Sequence, residues 1–326
     1  MFSVCDAPAQ DIHFSQFQNS PANLNPALTG VFEGDLRFIA NYRNQWASVP
    51  VPYRTLSGAF DMKVFHPKVG KNGFLGVGLV FNDDLAGNGD LHFSQLGGNL
   101  AYTRQLGGGV YATVGLQLMA GQRSVKPGQL TFEEQWNGDI FDPSRSVSES
   151  FTSGNVVLGS ISTGFNLHYQ VDGTRTKFDL GAGIFHLNTP KTSFAEEADV
   201  KLPMKISPHF IATFQVSPRF DFRANALYNK QTSYQEIVGG AALRYHLNFE
   251  KNKELAVQAG IATRLQDAII PSVELQAGHW TAGFSYDINT SEFRTATLRR
   301  GGPELFLQYI IWKVRAPKEF KACPIF

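Results

Sequence analysis

The chain alternates. In HWTAGFSYDIN (279–289), Trp280, Ala282, Phe284, Tyr286 and Ile288 take one face, and His279, Thr281, Gly283, Ser285, Asp287 and Asn289 the other. RFDFRANALY (219–228) does the same, setting Phe220, Phe222, Ala224, Ala226 and Tyr228 against Arg219, Asp221, Arg223 and Asn225. A period of two over such lengths predicts strands whose two faces meet different surroundings. The texture returns after residue 35 at 36–46, 53–65, 74–82, 92–106, 109–123, 155–170 and 177–188, then at 204–217, 234–247, 254–265, 269–277 and 303–313. With the first two, that makes about fourteen strands, divided by clusters of Gly, Asn, Asp and Pro. No amphipathic stretch at helical spacing competes with them.

The connections sharpen this reading. The three longest, 124–154, 189–203 and 290–302, are the fifth, seventh and thirteenth, all odd-numbered and so at one end of an antiparallel meander. The two-residue turns 107–108 and 217–218 are even-numbered and belong to the other end. Long loops at one end and short turns at the other characterise bacterial transmembrane β-barrels. The expected fold is therefore all-β, an antiparallel barrel spanning the outer membrane, with long loops outside and short turns in the periplasm. The expected divisions are 1–9 as the remnant of an export signal, 10–35 as a plug or periplasmic cap, 36–313 as the barrel, and 314–326 as a periplasmic tail. Both termini are then expected on the periplasmic side.

Composition agrees. Aromatic residues make up 13% of the chain and charged residues 17%, with a net charge of +1. This rules out a disordered chain and leaves no basic footprint for nucleic acid. No run of 18 uncharged apolar residues is present, which excludes a membrane-spanning helix. The second face of the strands is rich in Gly, Ser, Thr, Asn and Gln where a soluble sandwich would carry Lys and Glu. Glycines at 159, 164, 181, 183, 239 and 240 are expected to face inward and leave room in the lumen. Trp46, Tyr53, Phe81, Tyr169, Tyr245, Trp280 and Trp312 lie where aromatic girdles would sit. A soluble propeller or jelly roll is the alternative, but no blade-length repeat is visible.

Candidate chemistry is sparse. Gly76-Val77-Gly78 and Gly181-Ala182-Gly183 lack the third glycine of a nucleotide loop, and no G-x-x-x-x-G-K-[ST], H-E-x-x-H or G-x-S-x-G occurs. The eight histidines are dispersed. The run 82–90 gathers oxygen ligands but lacks the glutamate of a calcium loop, and reads as a hairpin tip. Ser94 and His92 share a strand face, as a barrel phospholipase would require, without an evident orienting group. Cys5 and Cys323 form neither a disulfide framework nor a metal site. Ala7-Pro8-Ala9 resembles the end of an export signal. No catalytic residue, cofactor or metal is expected.

Two stretches stand apart. QDIHFSQFQNSPANLNPALTG (10–30) neither alternates nor coils, yet its Phe14, Phe17 and Leu24 need burial. The fifth connection holds Phe132, Trp136, Phe141 and Phe151 among Glu133, Glu134, Asp139 and Asp142. Exposed aromatics of that kind need a cover, either the barrel's own rim or a partner, for which these four would be the contacts.

The first stretch also carries a resemblance. Gln10, Asp11, Phe14, Ser15, Gln16, Asn25, Pro26, Ala27 and Gly30 resemble the opening of the PorP/SprF family, of the type IX secretion and gliding-motility apparatus. Ile12 stands where that family usually has proline. Tyr42-Arg43-Asn44-Gln45-Trp46 and the ending Cys323-Pro324-Ile325-Phe326 are similar to later family motifs. The resemblance implies a non-enzymatic outer-membrane barrel serving export and surface attachment of large adhesins with type B C-terminal sorting domains. Implied partners are that cargo domain, periplasmic ring or peptidoglycan-associated components, and membrane lipid. A channel for small or hydrophobic solutes is the other function such a barrel could serve.

Overall fold

The computed structural model describes residues 11–46, 53–64, 73–86, 91–126, 132–145, 154–194, 200–250, 253–292 and 294–312. Among the described residues there are fourteen strands. They are β1 (Leu36–Gln45), β2 (Tyr53–Val64), β3 (Gly73–Ala86), β4 (Leu91–Gly107), β5 (Val110–Ser124), β6 (Asn155–Gln170) and β7 (Lys177–Phe185). After these come β8 (Lys205–Gln215), β9 (Phe220–Gln231), β10 (Tyr234–Asn248), β11 (Leu255–Arg264), β12 (Ala268–Ala277), β13 (Trp280–Asn289) and β14 (Arg300–Ile311). Each pairs antiparallel with its chain neighbours, and β1 closes on β14 with Leu36 opposite Ile311 and Arg43 opposite Glu304. Closure removes the open edges that a half-formed sheet would expose.

Alternation sorts the side chains between two environments. On β1, Arg37, Ile39, Asn41 and Arg43 are buried inside the barrel, while Phe38 and Ala40 stand outside. On β13, Ser285 and Asp287 are buried, and Trp280 and Phe284 are exposed on the outer wall, as are Phe220 and Phe222 of β9, Leu243 of β10 and Leu305 of β14. The inner wall is polar: Thr103, Thr113, Gln117, Ser162, Asn166 and Ser207 are all buried there. An apolar exterior around a polar interior is the arrangement that lipid outside and polar groups inside demand.

Two of the six glycines expected inside face outward. Gly159 and Gly239 share the parity of exposed Val157 and Ile237, whereas Gly164, Gly181, Gly183 and Gly240 face the lumen. Gly239 and Gly240 are adjacent, and the two-residue pleat forbids both from pointing one way. Cys5, Cys323, Phe151, the 1–9 remnant and the 314–326 tail lie outside the described residues.

Candidate functional site: the filled lumen

The buried apolar core lies inside the barrel, built largely by the residues before β1. Phe17, Leu24 and Leu28 pack against Leu227 of β9 and Val238 of β10. Short turns at Phe17–Asn19, Pro21–Leu24 and Pro26–Leu28 fold this segment. Prolines start the last two, at the position where a missing N–H costs nothing. Asn25 caps the start of the last turn, its side-chain oxygen accepting from Ala27 N–H at 2.9 Å.

The wall meets the segment polar group by polar group, around the whole circumference. Ser15 N–H and Gln16 N–H donate to the two carboxylate oxygens of Glu304 on β14, at 2.7 and 2.8 Å. Ser15 Oγ donates to Asp287 on β13 and accepts from Arg264 on β11, both at 2.7 Å. Arg264 also pairs with Asp287 at 3.1 Å and with Glu236 at 2.8 Å, while Arg43 bonds Asp287 and the carbonyl of His13. Deeper down, Asn19 donates to Glu274 of β12, and Asn23 exchanges hydrogen bonds with Asn82 of β3. Gln117 of β5 donates to Ala22 O, and Asn25 Nδ2 donates to Phe165 O on β6. Gly30 N–H donates to Asp61 of β2, which Arg37 holds in a two-bond fork at 2.9 and 2.7 Å. Buried ions stay charged only when paired this fully.

Glycines give the segment its berth. A Cβ on Gly115 would run into the Pro26–Ala27 peptide, one on Gly164 into the Asn25 side chain, and one on Gly76 into Thr29 O. Gly30 has φ +78°, a left-handed turn that glycine adopts without strain.

The segment therefore runs the length of the lumen. It joins β1 at the end holding the even-numbered turns, where Asp35 N–H bonds Ile311 O. Ser15 sits near the opposite end, among the residues where β11 and β13 finish. There Asp11 meets Lys205, the first residue of β8, at 2.5 Å, and His186 just beyond β7 at 3.2 Å. Burial alone would raise the Asp11 pKa, but the Lys205 ammonium and the hydrogen bonds from Lys205 and His186 hold its carboxyl well below the usual range. Asp11 and Trp312, the first and last described residues, stand at opposite ends of the barrel. The segment's direction carries no signature in the sequence.

The expected motif residues Phe14, Ser15, Gln16, Asn25, Pro26 and Gly30 are all buried in this interface. The loop aromatics are not: Trp136 is 52% and Phe141 42% exposed, paired by an antiparallel bridge, and Phe132 is half-buried. Among the described residues, the bridge and hydrogen bonds of Trp136 and Phe141 stay within 132–145.

Among the described residues, two serine–histidine–aspartate sets occur. At the outer rim, Asp83 does orient His92 and Ser94, a contact that the sequence reading missed because the ladder of β3 extends past Asn82. The carboxylate sits 2.6 Å from both His92 Nε2 and Ser94 Oγ, while those two atoms are 3.4 Å apart. The serine proton is thus directed to the carboxylate and away from the imidazole. Inside, Ser160, His186 and Asp11 follow in series at 2.7 and 3.2 Å, but Ser160 is sealed at 2% exposure. This relay fastens the segment, since no substrate reaches its hydroxyl. Among the described residues, no group of three or more His, Cys, Asp or Glu could hold a metal ion.

An apolar outer wall, a closed antiparallel ladder and a polar interior define an outer-membrane β-barrel. The sequence places it more closely: residues 7–309 match the family model described as type IX secretion system membrane protein PorP/SprF, and the chain belongs to that family. No curated protein matches the chain. Solved structures that are similar include the CymD monoaromatic hydrocarbon channel (11% identity, 90% of this chain and 92% of that one, TM-score 0.47). Also similar are the P. putida toluene transporter TodX (11%, 87% and 92%, 0.48) and a Pseudomonas aeruginosa FadL homologue (10%, 87% and 92%, 0.46). Likeness at that level concerns the barrel and says nothing of cargo.

Proposed function

We propose that this barrel is a non-enzymatic component of the type IX secretion machine, supporting export and cell-surface attachment of large proteins with type B C-terminal sorting domains. The observation that carries this reading is the filled lumen. A solute channel needs an open bore, whereas here the segment is fixed to strands around the circumference from Asp61 to Glu304. An anchor can work with a closed bore because its partners engage the ends. In this reading the long connections lie outside the cell and the short turns face the periplasm, toward ring or peptidoglycan-associated components. The aromatics Phe132, Trp136, Phe141 and Phe151 of the fifth connection then meet cargo.

Conductance through planar bilayers tests the bore. The purified barrel is expected to carry no large steady current; stable high conductance would favour the solute channel. Co-purification from intact cells should recover a secreted protein bearing a sorting domain. Surface labelling of a tag at position 138, but not at 250, is the expected orientation.

A further inference from the structure

Below the segment, at the short-turn end, the lumen widens into a cavity of about 280 Å³. Its floor is formed by Gln18, Asn19 and Phe32 of the segment, and Trp312 stands at its mouth. Four cationic side chains line it. Arg37 is committed to Asp61 and Lys177 to Glu33, and the carboxylate Asp179 is held by His168. That leaves Arg223 and Arg244, which share one carboxylate, Glu274, at 3.2 and 3.1 Å. Arg244 spends its remaining bonds on Gln258 and Gln276. Arg223 donates only through Nη1, to Gln258 and Glu274, so its Nε–Nη2 edge has no acceptor among the described residues.

We propose that this vestibule binds a carboxylate-bearing peptide segment, an acidic side chain or chain terminus docking on the Nε–Nη2 edge of Arg223. That edge presents two parallel N–H groups at the spacing of a carboxylate's oxygens, which a lysine cannot reproduce. The inward glutamines and threonines, Gln276, Gln308, Thr213 and Thr281, supply neutral partners for a peptide backbone. Glu274 links the site to the segment, because its other oxygen accepts from Asn19 Nδ2 at 3.1 Å. An arriving carboxylate that draws Arg223 away therefore acts on the carboxylate that holds Asn19.

The site rests on the reading above only for which compartment supplies the peptide; binding to the purified full-length barrel in detergent is independent of it. Titration calorimetry would use an eight-residue peptide with four glutamates, its four-glutamine counterpart, and glutarate. Saturable binding of the glutamate peptide is expected, at least about tenfold tighter than the glutamine peptide and weakened about tenfold in both Arg223→Gln and Arg223→Lys. Equal affinity for the two peptides, or unchanged affinity in Arg223→Gln, would overturn the proposal. Glutarate binding as tightly as the peptide would also overturn it, in favour of a free dicarboxylate. Should the arginine variants not fold, Glu274→Gln, which removes the internal competitor, is expected to tighten binding several-fold. Unchanged or weaker binding in that variant counts against the site.

Discussion

The N-terminal segment and the fifth connection invite comparison. Both lie outside the strand alternation, and both carry aromatics among polar residues. In the segment, Phe14 and Phe17 are buried and the polar groups bond to distant strands, Ser15 to Glu304 and Asn25 to Phe165. In the described part of the connection, the polar groups bond within the loop. Gln135 accepts from Phe132 N–H, Asn137 from Ile140 N–H, Asp142 from Ser144 N–H, and Arg145 donates to Trp136 O. Trp136 and Phe141 there stay exposed. An aromatic-rich irregular stretch is thus docked when its polar groups find partners elsewhere, and free-standing when they satisfy one another. The first kind shares in the barrel's stability; the second leaves Trp136 and Phe141 on the surface.

The sharpest way to break that contrast is at Arg264. Arg264→Met leaves Ser15, Asp287 and Glu236 without their shared cation inside the barrel. Breaking buried pairs from one side costs roughly 3–5 kcal/mol. Thermal unfolding of the purified barrel should fall accordingly. A variant as stable as the parent would mean that the segment's ion pairs contribute no more than the loop's local bonds.

A smaller effect is expected at the berth. Gly115→Val drives side-chain atoms into the Pro26–Ala27 peptide, and overpacking of this kind costs roughly 1–3 kcal/mol. Limited proteolysis should then cut within 11–30. Gly98→Ala is the matched control, since its Cβ points into open space on the outer wall. Equal protection of the segment in both variants would remove the glycines from the argument.

How much of this was legible in the sequence follows from what each feature depends on. Alternation is local, so β6 runs over the expected 155–170 and β5 falls within a residue of expectation at each end. Strand ends depended on more. β3 continues through Asp83 and Asp84 to Ala86 because the ladder keeps pairing with Tyr53–Ser57 of β2, where the wall has left the apolar belt. Acidic residues read as loop there because only a strand inside lipid forbids them. Inward polarity was legible, but the pairing of Arg264 with Asp287 was not, since it joins strands two apart through the register of the closed barrel. The burial need of Phe14 and Phe17 was visible; the direction in which the segment threads depends on contacts 220 or more residues away, such as Asp11 N–H to Gln231.

Acid should separate the two regions more gently. Burial, with the charge of Arg43 beside it, lowers the His13 pKa from 6.5 to about 4. Once released to water, the same imidazole would take a proton below about 6.5. The docked state therefore loses ground as the pH falls from 6.5 toward 4, and is unaffected above 6.5. Asp11 is depressed by Lys205 and His186 against the pull of burial, so its contribution is intact above 3.8 and is lost only below it. Between pH 7 and pH 5 the change comes from His13 alone of these two. Amide exchange across 13–20, corrected for the intrinsic rate, should quicken at pH 5, with no matching change across 132–145. Acceleration in both stretches would point to loosening of the whole barrel.

The smallest effect on the barrel, and the most telling for function, is expected from removing 130–142. The bonds this stretch makes in the described residues close on residues 132–145, with Gln135 reaching Pro143 and Arg145 reaching Trp136. Its loss should leave unfolding within about 0.5 kcal/mol of the parent, as for surface changes that disturb no buried group. Exposed Trp136 and Phe141 nonetheless present an apolar pair that water does not favour, rimmed by Glu134 and Asp139. If cargo grips this face, cells carrying the deletion should assemble a normal barrel yet lose surface-retained cargo, read by surface proteolysis against total secretion. Full retention would make the loop a lid over its own rim. Loss of retention together with a drop in barrel stability would place the loop with the docked segment, and the contrast between the two regions would fail.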